Sequence, residues 1–197
     1  MDLIPRVQNL ILKPKEEWVK IKGESTPVPQ LFLNYALFLV LISGIAQFIG
    51  YGLVGVRVPF VGVYRVGILS ALFRGVVFAG LQLVSAYVFG MVINALAPTF
   101  GSKPNLENAM KLVVFSMIPG WIAGVFNILP VLGILAFIAA LYGLYILYLG
   151  FQTPMMETPQ DKVVPYLVVS ILVVAGLMIV VSVVVGAFFA VGSMSGL

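Results

Sequence analysis

The hydrophobic pattern of the chain divides it at residue 33. Before that point, apolar residues recur at helical spacing inside two polar segments, DLIPRVQNLIL (residues 2–12) and KPKEEWVKIK (residues 13–22). Neither segment is long enough to cross a bilayer. The spacing predicts that residues 1–33 form a cytoplasmic amphipathic arm of one or two short helices in the headgroup region, with lysines toward water and Trp18 toward lipid. The alternative is an arm that is solvated on all sides.

Five long apolar stretches follow the arm, and each is bounded by charged residues, proline or glycine. They occupy residues 34–55, 75–97, 112–129, 131–151 and 166–191. A spanning helix needs about 20 apolar residues, so each stretch predicts one span. The helix of the second stretch could begin near Arg65, and the short break at residues 127–130 predicts a tight hairpin of the third and fourth spans. The predicted fold class is all-α: a polytopic integral membrane protein in which residues 34–197 form a bundle of five transmembrane helices.

The composition agrees with a protein that folds in lipid. Of the 197 residues, 61% are hydrophobic and 9% are charged, and the mean hydropathy is +1.14. Soluble domains carry about 25% charged residues. The chain has neither histidine nor cysteine, which excludes disulfides, thiol catalysis and imidazole chemistry. The sequence also offers no carboxylate dyad, metal cluster or phosphate-binding glycine loop, so we expect no catalytic residues, no cofactor and no metal site. No run of Lys and Arg lies on a soluble unit, so we expect no surface for nucleic acid.

The basic residues predict the orientation in the membrane. With a cytoplasmic N-terminus, the inner segments carry eight basic residues and the outer segments three, which matches the excess of Lys and Arg in cytoplasmic loops. The inner set is Arg6, Lys13, Lys15, Lys20, Lys22, Lys103, Lys111 and Lys162. The outer set is Arg57, Arg65 and Arg74. We therefore expect the N-terminus inside and the C-terminus outside.

The arm also holds the residues that we expect to meet the inner face of the membrane or a partner. These residues are Lys13, Lys15, Trp18, Lys20 and Lys22. Basic residues beside an apolar helix face attract anionic lipids. A protein partner or a second copy of the chain is left open.

Five residues are candidates for a role inside the membrane: Arg74, Gln82, Asn94, Pro119 and Asn127. A charge at membrane depth is a functional hypothesis by default, but the guanidinium of Arg74 could also reach the outer interface. The amide side chains are expected to hydrogen-bond between helices, with contact to a substrate as the alternative. Pro119 predicts a packed kink, with a break in a transport path as the alternative.

Three features resemble the YIP (Ypt-interacting-protein) domain family, in its prokaryotic form. Residues 7–18, VQNLILKPKEEW, are similar to the NLLxKPKExW start of bacterial and archaeal members. The span that holds Pro119 is followed by a short PVLG turn at residues 130–133 and by a fourth span with several tyrosines. A polar loop with Lys162 then precedes the last apolar helix. The resemblance covers nearly the whole chain and implies five helices with a cytoplasmic N-terminus.

The resemblance also implies a function outside catalysis. Eukaryotic members work in vesicle traffic, bind Rab-type GTPases and are linked to membrane shaping. Their long cytosolic N-terminal region and their DLYGP and GYS motifs are absent from this sequence, so no GTPase-binding residue is carried over. Two functions stay open. One is a scaffold in a prokaryotic plasma membrane that recruits partners or shapes the bilayer, and the other is a small transporter or channel with a path near the Pro119 kink.

Overall fold

The described part of the chain contains eight α-helices and one two-stranded ribbon, together with shorter π-helical and 3₁₀ segments. The computed structural model describes residues 3–58, 62–153 and 155–194, with side chains described as far as residue 180 except at residues 56–58, 64 and 130. The helices are α1 Leu3–Leu12, α2 Pro14–Gly23, α3 Val28–Leu31, α4 Leu37–Phe48, α5 Ile68–Leu96, α6 Leu106–Ala123, α7 Gly133–Gln152 and α8 Val163–Met194. The ribbon pairs β1 Val56–Val58 with β2 Gly62–Tyr64.

Within the described residues, five helices are long and apolar enough to cross a membrane, which confirms the predicted fold class. They are Val28–Val54, Ile68–Phe100, Leu106–Ile128, Gly133–Gln152 and Gln160–Val180. The first joins α3 to α4 through π-helical turns. The second begins at Ile68, close to the early start near Arg65 that the sequence allowed and ahead of residue 75.

The β1–β2 ribbon is an element that the hydrophobic pattern did not predict. Its strands are antiparallel, with Val56 opposite Tyr64 and Val58 opposite Gly62. Each strand is three residues long and contains valine, which suits a strand. Because the ribbon stands between two membrane helices, periodicity alone cannot separate its short apolar runs from the ends of those helices.

Helix α6 lies at the centre of the bundle. Residues 109–116 are all buried, so this part of the helix has protein around its whole circumference. The first span and α5 pack against it, and α7 packs along it as the other half of a hairpin. The 3₁₀ turns Gly124–Ile128 and Pro130–Leu132 close that hairpin, as the sequence predicted. Helix α8 packs against α5 and α7 at the edge.

Glycine allows the first span to approach α5 closely. A Cβ atom on Gly75 would lie 2.8 Å from the carbonyl oxygen of Gly44, and one on Gly44 would lie 3.1 Å from the carbonyl oxygen of Gly75. One turn away, Ala71 occupies the space that a side chain at Gly52 would need. The Ala71-x-x-x-Gly75 pattern therefore lies at a helix contact, where small residues let two backbones meet.

The bundle has two different ends. At one end, which we call the arm end, α1 packs on α6 and α2 packs on α7, near the start of α6 and the end of α7. At the opposite end, which we call the hairpin end, lie the β1–β2 ribbon and the turns between α6 and α7. The two faces of a membrane would therefore meet different elements: helices α1 and α2 at one face, and the ribbon and the hairpin turns at the other.

Candidate functional site

Helices α1 and α2 pack on the arm end of the bundle through three fully buried side chains: Leu10, Trp18 and Ile21. The indole Nε1–H of Trp18 donates a hydrogen bond of 3.0 Å to the carbonyl oxygen of Ile146 in α7. The ring lies against Gly150, where a Cβ atom would come within 2.8 Å of it. A residue other than glycine at position 150 would displace the indole.

The position of Trp18 differs from the one that we expected from the sequence. The side chain has no exposed surface, so its apolar contacts are with the protein and not with lipid. The exposed apolar side chains of the arm are Ile4, Leu12 and Val19. Helical spacing could place Trp18 on the apolar face of α2, but it could not show that Gly150, on a helix far along the chain, leaves room for the ring.

A buried ion cluster joins the two helices of the arm. Arg6, with 9% of its surface exposed, pairs with Glu17 at 2.6 Å and with Glu24 at 2.5 Å. Burial alone would lower the pKa of the Arg6 guanidinium, but its hydrogen bond to Glu24 and the charges of Glu24 and Glu17 outweigh that effect and raise the pKa. Its guanidinium also lies 5.9 Å from the centre of the Phe115 ring on α6, within the range of a cation–π contact.

A second pair ties the start of α6 to the end of the arm. Lys111 is fully buried and pairs with Glu107 at 2.7 Å, and it also donates a hydrogen bond to the carbonyl oxygen of Glu24. The carboxylate of Glu107 accepts a hydrogen bond of 2.7 Å from the backbone N–H of Thr26. From the sequence we expected Lys111 to be a charge of an inner loop, whereas the structure buries it. The i, i+4 spacing of Glu107 and Lys111 was the available signal for this pair.

Two of the arm's acidic residues are turned toward the bundle, whereas Glu16 is exposed like the lysines. Glu17 is buried and Glu24 is half-buried, and both are paired with Arg6. Four lysines are exposed: Lys13, Lys15, Lys20 and Lys22. Of these, Lys20 also reaches Glu17 at 3.2 Å. The structure therefore brings the four lysines proposed from the sequence to the outer surface of the arm and sends Trp18 to the interior.

The intramembrane candidates do not form one site. Arg74 is exposed on α5, six residues after its first residue and thus about 9 Å along the helix. Pro119 is buried inside α6. Asn94 is half-buried on α5, and its Oδ1 has no hydrogen-bond partner among the described residues. That oxygen lacks the interhelical hydrogen bond that we expected. The side chain of Arg57 lies outside the described residues.

Gln82 and Asn127 are brought together at a cavity of about 420 Å³. The cavity lies between the first span, α5, α6 and α7, and residues on both sides of Pro119 contribute to its wall. Its polar lining residues are Ser43, Gln82, Ser116, Trp121 and Asn127. Ser43 donates a hydrogen bond of 2.7 Å to the carbonyl oxygen of Trp121. The remaining wall is formed by glycine and apolar side chains.

These features define a polytopic integral membrane protein with five spanning helices and a folded N-terminal arm. A comparison with family models gives its family: the Yip1 domain model matches residues 9–192, and the chain belongs to the Yip1 domain family. The resemblance drawn from residues 7–18 and from the Pro119 hairpin is thereby confirmed. No curated protein and no solved structure matches the chain.

Proposed function

We propose that this protein is a non-enzymatic membrane scaffold whose arm recruits partners or shapes the bilayer at the cytoplasmic face. The observation that carries the proposal is the division of charge in the arm. Its buried cluster takes up Glu17 and Glu24, while four lysines remain exposed with Glu16 as the one exposed acidic residue among the described residues of the arm. A surface of this kind attracts the anionic lipids of a membrane, at about 1 kcal/mol for each basic residue near the surface.

The exposed apolar residues of the arm support contact with the same membrane. Ile4, Leu12 and Val19 are 69%, 77% and 66% exposed, although α1 and α2 lie outside the five spans. Apolar residues mixed with lysines are typical of helices that lie in the interface. In this proposal Leu12 and Val19 enter the headgroup region, while Trp18 fixes the arm to the bundle.

The proposed orientation has the arm in the cytoplasm and the C-terminus outside, in a prokaryotic plasma membrane. It follows from the excess of basic residues in the segments at the arm end. The arm, α3 and the start of α6 lie together at this end. The basic surface would then meet the leaflet that carries anionic lipids.

The experiment compares two matched charge reversals in the full chain. Lys13→Glu with Lys15→Glu changes the arm, and Lys103→Glu with Lys162→Glu makes the same change in net charge on loops at the same end. All four side chains are exposed. Each protein is reconstituted in vesicles with and without phosphatidylglycerol, and vesicle shape is followed by electron microscopy, with hydrogen exchange over residues 3–23.

We expect the unmodified protein to deform anionic vesicles and to protect the arm from exchange more strongly there than in neutral vesicles. The arm reversal should remove both effects, and the loop reversal should leave most of each in place. Equal behaviour of the two variants would contradict the role of the arm. Crosslinking in native membranes would then identify a protein partner or a second copy of the chain.

The transporter alternative keeps one supporting observation, which is the cavity beside Pro119. Its wall includes Gln82 and Asn127, and polar residues near a broken helix can mark a transport site. None of the residues that line it carries a charge. A flux through reconstituted vesicles that is lost on Gln82→Leu would favour this alternative over the scaffold.

A further inference from the structure

The cavity between the first span, α5, α6 and α7 is explained neither by the family nor by the arm. At about 420 Å³ it is as large as cavities that hold small ligands, which measure about 300–1,000 Å³. No residue of the arm lines it, although Trp18 bonds to Ile146, next to the cavity-lining Leu147. The residues of the cavity wall therefore decide what the cavity can hold.

Two polar groups in that wall are buried without a partner. The indole Nε1 of Trp121 and the hydroxyl of Ser116 have no hydrogen-bond partner among the described residues, although Trp121 is 1% exposed and Ser116 is 4% exposed. Buried polar groups are almost always hydrogen-bonded. An indole N–H can only donate, so the missing partner of Trp121 is an acceptor atom.

The rest of the wall excludes an ion. None of the lining residues is charged, and most are apolar: Phe78, Phe89, Val113, Phe137, Leu141 and Leu147 are among them. An ion in such a site would lose its hydration without a compensating charge. The occupant is therefore neutral, largely apolar and equipped with at least one hydrogen-bond acceptor.

The open side of the cavity faces the bilayer. Phe137, Leu141 and Leu144 line it and are 58%, 49% and 40% exposed. These residues belong to a helix that is apolar enough to cross a membrane. A molecule can thus enter sideways from the lipid phase.

The depth of the cavity's polar groups in the membrane indicates which kind of molecule the cavity binds. Asn127 lies at the hairpin end of the third span, next to its last residue, Ile128. Trp121 lies six residues before Asn127, about 9 Å deeper, and Ser116 lies deeper still. Polar partners therefore run from the interface into the bilayer, while the cavity continues past them between apolar walls.

From these observations we infer that the cavity binds one acyl chain of a membrane lipid, with an ester oxygen of that lipid accepting a hydrogen bond from the Trp121 indole. The apolar wall from Val113 to Leu147 holds the chain, and Asn127 faces the polar part of the lipid near the interface. The site goes beyond the proposed scaffold function, because it needs neither the lysines of the arm nor a protein partner.

The two tryptophans of the chain provide the test. In the full-length Trp18→Phe variant, Trp121 is the only indole, and in the Trp121→Phe variant, Trp18 is the only one. Both are reconstituted in vesicles of phosphatidylcholine with bromine atoms on the acyl chains, which quench nearby tryptophan. We expect strong quenching of Trp121 and little quenching of Trp18, although both side chains are buried.

A matched pair of substitutions in the Trp18→Phe background separates the cavity from the general lipid surface. Ala140→Leu fills the cavity, since Ala140 lines it. Ala175→Leu makes the same change at an exposed position of α8 that does not line the cavity. The first substitution should reduce the quenching of Trp121 to the level of Trp18, and the second should leave it unchanged.

Three results would overturn the inference. They are equal quenching of the two tryptophans, full quenching of Trp121 in folded Ala140→Leu protein, and access of a water-soluble quencher to Trp121. If Ala140→Leu does not fold, the unmodified protein is irradiated with a phosphatidylcholine that carries a diazirine on its acyl chain. Labelling concentrated in residues 116–127 supports the site, and equal labelling of the exposed face of α8 contradicts it.

Discussion

The indole of Trp18 donates its hydrogen bond to the carbonyl oxygen of Ile146, and this contact fixes the second helix of the arm to the fourth membrane span. A second contact acts in the same way, because the hydroxyl of Tyr142 donates a hydrogen bond of 2.7 Å to the carbonyl oxygen of Ile11. The arm is therefore part of the packed structure of the bundle. Any partner or lipid that binds its lysines acts on an element already joined to α6 and α7.

Replacing Trp18 with alanine should strongly destabilise the protein. Truncation of a buried tryptophan costs about 3–5 kcal/mol. Trp18→Phe should cost much less, because most of the ring contacts stay and only a hydrogen bond of about 1 kcal/mol is lost. The free energy of unfolding in detergent would measure both. Leu12→Ala is the control, since Leu12 is exposed; an equal loss there would contradict the docking of Trp18.

The ion cluster predicts a strong coupling between Arg6 and Glu17. Arg6→Met should cost about 3–5 kcal/mol, because it leaves a carboxylate buried without its partner. Glu17→Gln should cost less, because Arg6 would still form its ion pair with Glu24. The double variant Arg6→Met, Glu17→Gln should recover part of the loss. A double-mutant cycle on the free energy of unfolding measures the coupling between Arg6 and Glu17. If the effects of the two single substitutions simply add, the two side chains do not interact.

The sequence predicted the membrane fold well because length and hydropathy alone decide which segments can span. Residues 131–151, for example, became the span Gly133–Gln152. The confirmed predictions thus rest on properties that are local along the chain.

The details of both candidate sites depend on contacts between distant residues. Arg6, Glu17 and Glu24 meet only because α1 folds back on α2, and Lys111 joins them from a helix far along the chain. Similarly, nothing in the sequence distinguishes the unpartnered indole of Trp121 from an ordinary buried ring. Its surroundings come from three helices that pack around a space.

The proposed orientation predicts opposite locations for two reporters. A reporter inserted within residues 101–105, between the second and third spans, should lie in the cytoplasm, and one fused after Leu197 should lie outside. Both follow from five spans and a cytoplasmic arm. Paired enzyme fusions that are active on only one side of the membrane would measure this. Two reporters on the same side would contradict the orientation.

The last prediction is that the purified protein carries no flux of protons, Na⁺ or K⁺ above that of empty vesicles. An ion path needs charged or densely polar residues along a cavity, because an isolated charge is costly at membrane depth. Here the lining of the cavity is uncharged, and Arg74 is exposed on α5 without contributing to that lining. Arg74→Gln should therefore change neither ion flux nor the deformation of anionic vesicles, while Lys13→Glu with Lys15→Glu removes the deformation. Ion-sensitive dyes in proteoliposomes would measure the flux and test this prediction. A reproducible flux that is lost on Arg74→Gln or Gln82→Leu would contradict the scaffold function and favour the transporter function.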